Sequence, residues 1–420
     1  MRRLAPAWIG LAMCVAAAQA CALGGEVRDA VSGRPVALAK VVVAGEVHAS
    51  DSQGRFEVDG APDGASVTAR AIGYARFQGI VSSSAPLVIA LTPLRPKALY
   101  LSVYGIGSAT LRGDALKLID ETELNALVID VKGDRGYVPY RSAALAASGL
   151  TQTLVTVTDM PTLLRTLHQR GLYLIARIVS FKDEPYATAH PAWAVHDAHG
   201  NVWKDREGLP WIDPFCREAW ERNLALAEEA AALGFDEIQF DYLRFPDATG
   251  LVFSEPDTED RRVAAINGFL DAAQHRLARY NVFVAADIFG YVAWNSNDTH
   301  IGQQLEAIVK HVDYLSPMLY PSGFSFGIPG YRDPVAAPHE IVENSLRRAI
   351  VRTGLPGLRF RPWLQAFRDY AFDRRAFGER EIRSQIDGAD DVGTDGWMLW
   401  NPNNRYGEGG LEADTQGSSP

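Results

Sequence analysis

Two aspartates follow apolar stretches of the chain at points where a strand is expected to end. Asp241 closes one such stretch and is followed by Tyr242 and Arg244, while Asp287 closes another. A neighbouring arginine would stabilise the charged form of Asp241, and partial burial would raise the pKa of Asp287 toward that of a general acid. One ionised and one protonated carboxyl group can share acid–base chemistry. We therefore expect an active site at these strand ends.

Other charged residues fall near the ends of neighbouring predicted strands. Asp130 and Lys132 follow the second apolar run, and two more charged residues come directly after them. An ion-pair network that orients the site explains this cluster more simply than a direct catalytic role. Glu184 follows the third run and is an alternative proton donor. It ranks below Asp287 because carboxylates in loops are usually just solvated.

The elements around these residues alternate in type. Apolar, β-favouring runs are separated by segments with helical periodicity, and the predicted strands span 98–104, 125–131, 172–178, 237–241, 282–287, 314–318, 359–366 and 396–400. Eight strand–helix units in about 310 residues predict an α/β fold, a TIM barrel with its active site at the carboxyl ends of the strands. A doubly wound open sheet is the alternative, but Gly105 and Gly107 run on to Thr110, where its phosphate-binding motif needs a third glycine.

The first residues of the chain are predicted to direct export. Arg2 and Arg3 precede an apolar run, and residues 18–20 read Ala-Gln-Ala, a typical signal peptidase site, so 1–22 is the expected signal peptide of a periplasmic or secreted protein. Cys21 directly follows this site, so a lipid anchor attached to this cysteine is an alternative. No later stretch offers about twenty uncharged apolar residues, so we expect no transmembrane segment. Cleavage leaves at most two of the three cysteines, which excludes a disulfide framework.

Residues 24–94 form a separate predicted unit. Short alternating runs divided by Gly, Pro, Asp and Ser predict a small all-β sandwich. The phrases GEVRDAVSGRPV, AKVVV and SDSQGRFEV resemble the carboxypeptidase regulatory-like domain, a transthyretin-like sandwich, and this resemblance implies an accessory module without catalytic residues. Prolines make 92–96 a stiff linker to the barrel at 97–405. Residues 406–420 are expected to form a disordered tail.

The barrel segment carries several phrases that occur together in one family. They are NALVIDVKGDRG at 125–136, IVSFKD at 178–183, WIDP at 211–214, DEIQFDYLRFP at 236–246 and SPMLYP at 316–321. These phrases resemble the putative glycoside hydrolase domain family of bacterial secreted proteins over essentially 97–405. The resemblance implies a TIM barrel that hydrolyses glycosidic bonds with two carboxyl groups. Its likeness to retaining glycosidase barrels implies Asp241 as the nucleophile at the fourth strand end, and it does not settle the substrate. The expected burial of Asp287 makes that residue the candidate acid.

A glycan offers apolar ring faces and many hydroxyls, so its cleft should combine aromatic surfaces with hydrogen-bonding groups. Aromatic and amide side chains fall at or just after the predicted strand ends: Tyr104, Tyr242, Trp294, Tyr320, Trp363, Trp400 and Asn401. With Asp130, Lys132 and Arg244 they are the expected substrate-binding residues, and packing inside the barrel rim is the alternative for any one of them. We expect a polysaccharide or oligosaccharide substrate and no obligatory cofactor.

Other functions find less support in the sequence. A net charge of -10 argues against nucleic acid or an anionic membrane as a partner and leaves a neutral or cationic glycan compatible. His190, His196 and His199 share one loop, but a metal hydrolase barrel needs ligands at strand ends, so no metal site is predicted. A G-x-S-x-G motif is missing, which removes the usual serine hydrolase route. The alternative to hydrolysis is a non-catalytic barrel that binds envelope or exopolysaccharide as a scaffold.

Overall fold

The computed structural model describes residues 22–59, 62–82 and 87–413. Its larger part is a closed barrel of eight parallel strands that follow one another around the ring in chain order. We number them barrel strands 1 to 8, and they span Lys97–Leu101, Ala126–Lys132, Tyr173–Val179, Glu237–Asp241, Phe283–Phe289, Tyr314–Met318, Trp363–Gln365 and Trp397–Trp400. Strand 8 pairs with strand 1 and closes the ring. The prediction of an α/β TIM barrel that follows a small amino-terminal β domain along the chain is confirmed.

Helices connect the strands and cover the outside of the barrel. The α-helices span Val103–Gly107, Ala109–Glu121, Ala143–Ala147, Met160–Gln169, Glu184–Ala189, Arg217–Leu233, Glu259–Leu277, Leu305–Ile308, Pro338–Thr353 and Glu379–Asp390. Short 3-10 turns span Pro191–Trp193, Ala278–Tyr280, Gly290–Ala293, Pro321–Gly323, Pro334–Ala336 and Gly357–Arg359, and a minor strand pair joins His196–Asp197 to Leu251–Val252. Asp159 caps the fourth helix by accepting the N–H of Thr162. Gly234 ends the sixth helix in the left-handed conformation, which glycine adopts without steric cost.

Two strand ends differ from the prediction in ways that move candidate residues. Strand 1 ends at Leu101 because Ser102 accepts the N–H of Gly105 and starts a helix, so Tyr104 lies in that helix. Strand 5 runs on to Phe289, which places Asp287 inside the strand rather than at its end. The predicted strand over 359–366 is shorter than expected, since its first residue belongs to a 3-10 turn.

The interior of the barrel is partly ionic. Apolar inward-facing residues such as Val128 and Phe283 fill its lower part. Between them Arg361 donates to Glu237 at 2.6 Å and to Asp395 at 2.8 Å, and all three side chains are buried. Buried charges persist in proteins where they are paired and hydrogen-bonded in this way. The carboxyl end of the barrel holds a second ionic cluster, described below.

The amino-terminal unit consists of two small sheets. Strands Ala22–Asp29, Arg55–Asp59 and Leu87–Leu91 form one sheet, and Lys40–Val43, Glu46–Ala49, Ser66–Arg70 and Phe77–Ile80 form the other. Val27, Val41, Phe56, Val67 and Ile89 belong to one buried apolar core. Alternating inward and outward residues are typical of two sheets that pack face to face. The resemblance of this unit to the carboxypeptidase regulatory-like domain stays a prediction.

The sandwich docks against the end of the barrel where the strands begin. Arg70 pairs with Asp313 at 2.7 Å and donates to Asn281 Oδ1 at 3.1 Å, and these two partners directly precede strands 6 and 5. Arg76 donates to the carbonyl oxygen of Phe235, which precedes strand 4, at 2.9 Å. The sandwich therefore lies at the opposite end of the barrel from the strand ends that carry the candidate site.

Removing the buried cation at this interface should weaken the fold. The side chains of Arg70 and Asp313 are 7% and 11% exposed. Arg70→Met leaves the nearly buried carboxylate of Asp313 without its arginine partner, so we expect the free energy of unfolding to fall by about 3 kcal/mol. Arg55→Met removes an exposed pair with Asp51 and should leave the unfolding midpoint unchanged. Denaturation followed by circular dichroism checks both variants, and equal midpoints would show that the interface adds nothing to stability.

Several predictions concern the ends of the chain. The signal peptide cleavage site and Cys21 lie outside the described residues. Residues 406–413, which fall in the predicted tail, contact the barrel: Tyr406 donates to the carbonyl oxygen of Tyr100 at 2.8 Å, and the N–H of Glu412 donates to Glu123 at 3.0 Å. Within 22–59, 62–82 and 87–413, every helix is too short or too polar to cross a bilayer.

Candidate active site

Arg177 lies in the mouth of the barrel and contacts three carboxylates. It points inward from strand 3 and is fully buried beneath the ring of Trp400, 4.8 Å from the ring centroid. Its guanidinium donates to Asp130 at 2.7 Å, to Asp134 at 2.9 Å and twice to Asp241 Oδ2, at 2.6 and 2.8 Å. Because its donors have a fixed planar geometry, one arginine fixes the positions of three acids.

Asp241, the last residue of strand 4, is held at both carboxylate oxygens. Oδ2 accepts from Arg177, and Oδ1 accepts the N–H of Tyr242 at 2.6 Å. Tyr242 has φ of 46°, in the left-handed region that bulky residues rarely adopt, and backbone strain of this kind clusters at functional sites. The partner predicted for Asp241 was Arg244, but Arg244 donates instead to the carbonyl oxygen of Phe245 at 3.1 Å.

Asp287 is the neighbour of Asp241 on strand 5. Phe240 pairs with Ala286, so the next residues of the two strands stand side by side. Adjacent strands lie about 4.8 Å apart, a backbone spacing compatible with the roughly 10 Å that glycosidase carboxyl pairs span. Asp287 is fully buried, its Oδ1 accepts from Trp363 Nε1 at 2.8 Å, and its Oδ2 has no partner among the described residues. Burial, and then the charge of Asp241, hold the pKa of Asp287 well above its ordinary value.

Asp130 lies on the other side of Arg177 from Asp241. Besides the arginine, it accepts the hydroxyl of Tyr100 at 2.8 Å. Burial raises the pKa of Asp130 to about 6, although the charge of Arg177 opposes the shift. This arrangement agrees with the predicted ion-pair network, and it brings Asp130 to the edge of the cleft.

Two other predicted residues lie outside the cleft. Lys132 is fully buried and donates to Asp183 and Asn223, both at 2.7 Å, so it ties strand 2 to the loop after strand 3 and to a helix. Glu184, the alternative proton donor, pairs with Arg135 at 3.4 Å on the rim and lines none of the depressions that form the cleft. The structure thus gives Lys132 a packing role.

A cleft of three adjoining depressions crosses the carboxyl ends of the strands. The central depression measures about 240 Å³, the second about 430 Å³ and the third about 260 Å³. Asp241 lines the central depression, which shares Arg244 with the second and Trp400 with the third. The second and third meet at Glu207. A cleft of this extent has room for several linked rings.

Four of the predicted aromatic residues line this cleft. Tyr242, Tyr320 and Trp400 line the central depression, and Tyr104, 54% exposed, lines the third. Trp400 stacks on Tyr100 with ring centroids 4.0 Å apart, which fixes the orientation of its indole ring. These residues offer flat apolar surface beside the carboxylates.

Besides Lys132, three predicted binding residues do not line the three depressions. Trp363 lies in the barrel interior below the cleft and is 1% exposed. Trp294 donates to Ser345 Oγ at 2.9 Å and packs on a helix outside the barrel. Asn401 donates to a backbone carbonyl oxygen at 2.6 Å and so fixes the loop after strand 8. Trp294 and Asn401 follow strand ends in the sequence, but the local backbone turns their side chains elsewhere, whereas Trp363 is the first residue of strand 7.

The cleft also contains residues that were not predicted from the sequence. Further aromatic side chains complete the central depression: Phe289, Tyr291, Phe324 and Tyr370. A hairpin after strand 3 contributes Glu207, which accepts from Lys182 at 2.9 Å. Arg177 is the most consequential omission: the alternation along strand 3 places it inward, but it does not indicate which acids Arg177 contacts.

Metal-binding side chains do not cluster in the part of the chain that the structure describes. Groups of three or more His, Cys, Asp or Glu with suitable placement do not occur there. The ring of His190 instead stacks on Trp193 with centroids 4.3 Å apart.

Several solved structures share this fold. The glycoside hydrolase domain of PgaB (BpsB) from Bordetella bronchiseptica has a TM-score of 0.54 and 14% identity, with 74% of this chain and 95% of that one covered. The spore cortex-lytic enzyme SleL of Bacillus cereus has a TM-score of 0.45 and 13% identity, covering 78% and 76%. At these identities the likeness concerns the fold alone.

A structure with higher sequence identity carries no functional description. A hypothetical protein from Ruminiclostridium thermocellum ATCC 27405 is 35% identical, with a TM-score of 0.40 and coverage of 45% of this chain and 96% of that one. No curated protein is significantly similar to the chain. The model of one family, described as a putative glycosyl hydrolase domain, matches residues 98–406. This match spans the whole barrel, and the chain therefore belongs to the putative glycosyl hydrolase domain family.

Proposed function

We propose that the protein hydrolyses glycosidic bonds of an extracellular or envelope polysaccharide or oligosaccharide, with Asp241 and Asp287 as the two carboxyl groups. The observation that supports this most directly is that Asp241, held by Arg177 at an aromatic-lined cleft, neighbours Asp287, whose pKa burial and the charge of Asp241 hold well above its ordinary value. Glycoside hydrolysis needs one ionised and one protonated carboxyl group. Family membership supports the same class of reaction.

Asp241 acts as the nucleophile. Arg177 and the N–H of Tyr242 stabilise its negative charge and hold it in one orientation. A carboxylate oxygen has two lone-pair sites, so Oδ1 keeps one free for attack on the anomeric carbon of a sugar in the central depression. Tyr242 and Trp400 supply the apolar surface on which that sugar rests.

Asp287 supplies the proton. Its Oδ2 atom, which lacks a partner among the described residues, carries the acidic hydrogen. As Asp241 attacks, the glycosidic bond breaks and the proton passes to the leaving oxygen, which gives an alcohol and a glycosyl ester of Asp241. Asp287 then removes a proton from water, which hydrolyses the ester and restores both groups. Neighbouring strands favour the separation of roughly 5 Å found in retaining enzymes.

The pH dependence of kcat distinguishes Asp287 from Asp130 as the donor. With Asp287 as the acid, we expect the alkaline limb of kcat to follow the pKa of Asp287, which burial and the charge of Asp241 hold well above its ordinary value. A donor with the pKa of Asp130, about 6, would instead make kcat fall as the pH rises above 6. Asp130→Asn should leave the alkaline limb in place, whereas Asp287→Asn should abolish it. The profile is measured from pH 4 to pH 9 on whichever glycan is hydrolysed.

The test of the proposed function is release of reducing ends from a panel of bacterial and plant polysaccharides. Wild type and Asp241→Asn are compared side by side, and mass spectrometry identifies the products. Release from one glycan that Asp241→Asn abolishes would establish the hydrolase and this carboxylate. Release that the substitution leaves unchanged would place the active site elsewhere, and tight retention of a glycan without release would favour a non-catalytic binding barrel.

The proposed site of action is outside the cytoplasm. The signal peptide predicted at residues 1–22 carries a peptidase site that ends at Ala20, so we expect cleavage after Ala20 and a mature chain that begins at Cys21. Mass spectrometry of protein purified from the exporting cells measures both the cleavage and any acyl groups on Cys21. An intact amino terminus in exported protein would contradict the cleavage, and an unmodified Cys21 would contradict a lipid anchor.

A further inference from the structure

Arg244 is a cation in the cleft that forms no ion pair with any residue the structure describes. It follows strand 4 and lines both the central and the second depression. Its Nη1 atom donates to the carbonyl oxygen of Phe245, and none of the described residues forms an ion pair with it. The guanidinium lies over the rings of Trp211 and Tyr242, 5.0 and 5.4 Å from their centroids. Most of its five N–H donors are therefore free to meet a ligand.

The charges of Asp241, Asp247 and Asp205 act on Arg244, but none of these described acids forms an ion pair with it. Asp205 and Glu207 also line the second depression, but both pair with Lys182, at 3.2 and 2.9 Å. Asp247, the remaining acid there, forms no ion pair with Arg244 within the described residues. Burial lowers the pKa of Arg244, the direction expected of a cation whose lost hydration its surroundings do not replace.

We infer that Arg244 binds a carboxylate of the substrate, so that the glycan is an acidic one with a uronic acid at the junction of the central and second depressions. This inference rests on the proposed function, because it names the substrate class of the same cleft. The guanidinium fork matches the two oxygens of a carboxylate. Stacking on Trp211 holds the fork in one plane, which reduces the entropy lost on binding.

An acidic glycan differs from the neutral or cationic one that the net charge of the chain favours. A net charge of -10 opposes the approach of a polyanion from a distance. Salt screens such long-range repulsion beyond about 8 Å at physiological ionic strength, whereas a partly desolvated contact is screened much less. The charge at Arg244 therefore decides which sugar binds there, and the net charge affects mainly the rate of encounter.

The test measures binding by the full chain carrying Asp241→Asn, so that bound glycan is not cleaved. The probes are polygalacturonate, alginate and glucuronoxylan, each beside its carboxyl-reduced form, together with neutral β-glucan and cationic chitosan, in affinity gel electrophoresis. We expect retention by an acidic probe and at least about tenfold weaker retention by its reduced form. Adding Arg244→Gln should weaken retention by the acidic probe about 10- to 100-fold and leave the reduced form unaffected. Arg244→Lys should fall in between, because it keeps the charge but loses the fork.

Arg348→Gln is the matched control. Arg348 also lies over a tryptophan, 5.1 Å from the ring of Trp294, and donates to a backbone carbonyl oxygen, but it lines none of the three depressions. Its replacement should not change retention. Thermal unfolding of every variant checks that the fold is kept. If an Arg244 variant is less stable, the ratio of its binding to an acidic probe and to the carboxyl-reduced form of that probe still measures the contact between residue 244 and the carboxylate.

Three results would overturn the inference: equal retention by neutral or cationic glycans, no retention by any acidic probe, or an equal loss on acidic and reduced probes in Arg244→Gln. Reducing ends are measured separately on wild type. Binding of acidic glycans without hydrolysis contradicts the proposed function and leaves the role of Arg244 intact. Hydrolysis of a neutral glycan with no preference for its acidic counterparts contradicts the role of Arg244 and leaves the proposed function intact.

Discussion

Asp241→Asn should lower kcat on the hydrolysed glycan by about 1,000- to 100,000-fold, the range seen when an essential catalytic group is removed. The amide has nearly the same shape as the carboxylate, and its single oxygen can accept either from Arg177 or from the N–H of Tyr242. The fold should persist, because Arg177 keeps Asp130 and Asp134 as partners. The loss arises because a neutral amide neither attacks the anomeric carbon nor stabilises positive charge there. Steady-state kinetics and a thermal unfolding curve measure both effects.

Two controls separate a nucleophile from a residue that merely positions others. Asp247→Asn makes the same chemical change at an exposed position of the second depression and should keep kcat within a few-fold of wild type. Asp241→Ala should regain activity in millimolar azide and yield a glycosyl azide of inverted configuration, since azide enters the space of the missing carboxylate. Equal activities of Asp241→Asn and Asp247→Asn, or no azide product, would remove Asp241 from this role.

Arg177→Met should destabilise the protein by about 3 to 5 kcal/mol, the cost of leaving buried charges without their partner. The side chain is fully buried and contacts Asp130, Asp134 and Asp241. Methionine has a similar length but provides no donors, so these carboxylates repel one another in the folded state. Urea denaturation at pH 7 measures the loss, and Arg165→Met on an exposed helix face is the matched control.

The pH dependence of this loss gives a second readout. Without Arg177, repulsion and burial raise the pKa values of the clustered carboxyl groups in the folded state above those in the unfolded state. The folded variant then binds protons more tightly than the unfolded chain, so its stability should rise as the pH falls from 8 to 5. A loss relative to wild type that is the same at pH 8 and pH 5 would mean that only packing was disturbed.

The sequence predicts the fold well where the pattern is local. The expected ranges 237–241 and 314–318 coincide with strands 4 and 6, because their apolar β-favouring residues end at recognisable loops. The same pattern places Asp241 at a strand end and predicts Asp287 at the end of the next strand. The position of Asp241 follows from the local pattern, whereas the adjacency of Asp287 also depends on the pairing of strands 4 and 5, and Asp287 lies inside its strand and not at the predicted end.

Contacts between distant strands could not be predicted in this way. Arg177 joins Asp130 and Asp241, which lie 47 and 64 positions away along the chain, and no local pattern indicates such a cluster. Arg244 is near Asp241 in sequence, but the left-handed backbone at Tyr242 sends the two side chains apart. The side chain of Trp294 could not be placed from the sequence either, because a position after a strand end does not determine which way a large side chain turns.

The docking of the sandwich also bears on how the chain folds during synthesis. Arg70 reaches a partner 211 positions later, and the N–H of Gly73 donates to the hydroxyl of Tyr314, 241 positions later. Because the ribosome adds about 5 to 20 residues per second, strands 5 and 6 emerge on the order of 10 seconds or more after the sandwich. Its contacts through Arg70 and Arg76 are charged groups that water solvates well during that interval. The nascent chain can thus carry a finished first domain whose docking surface resists aggregation until the barrel is complete.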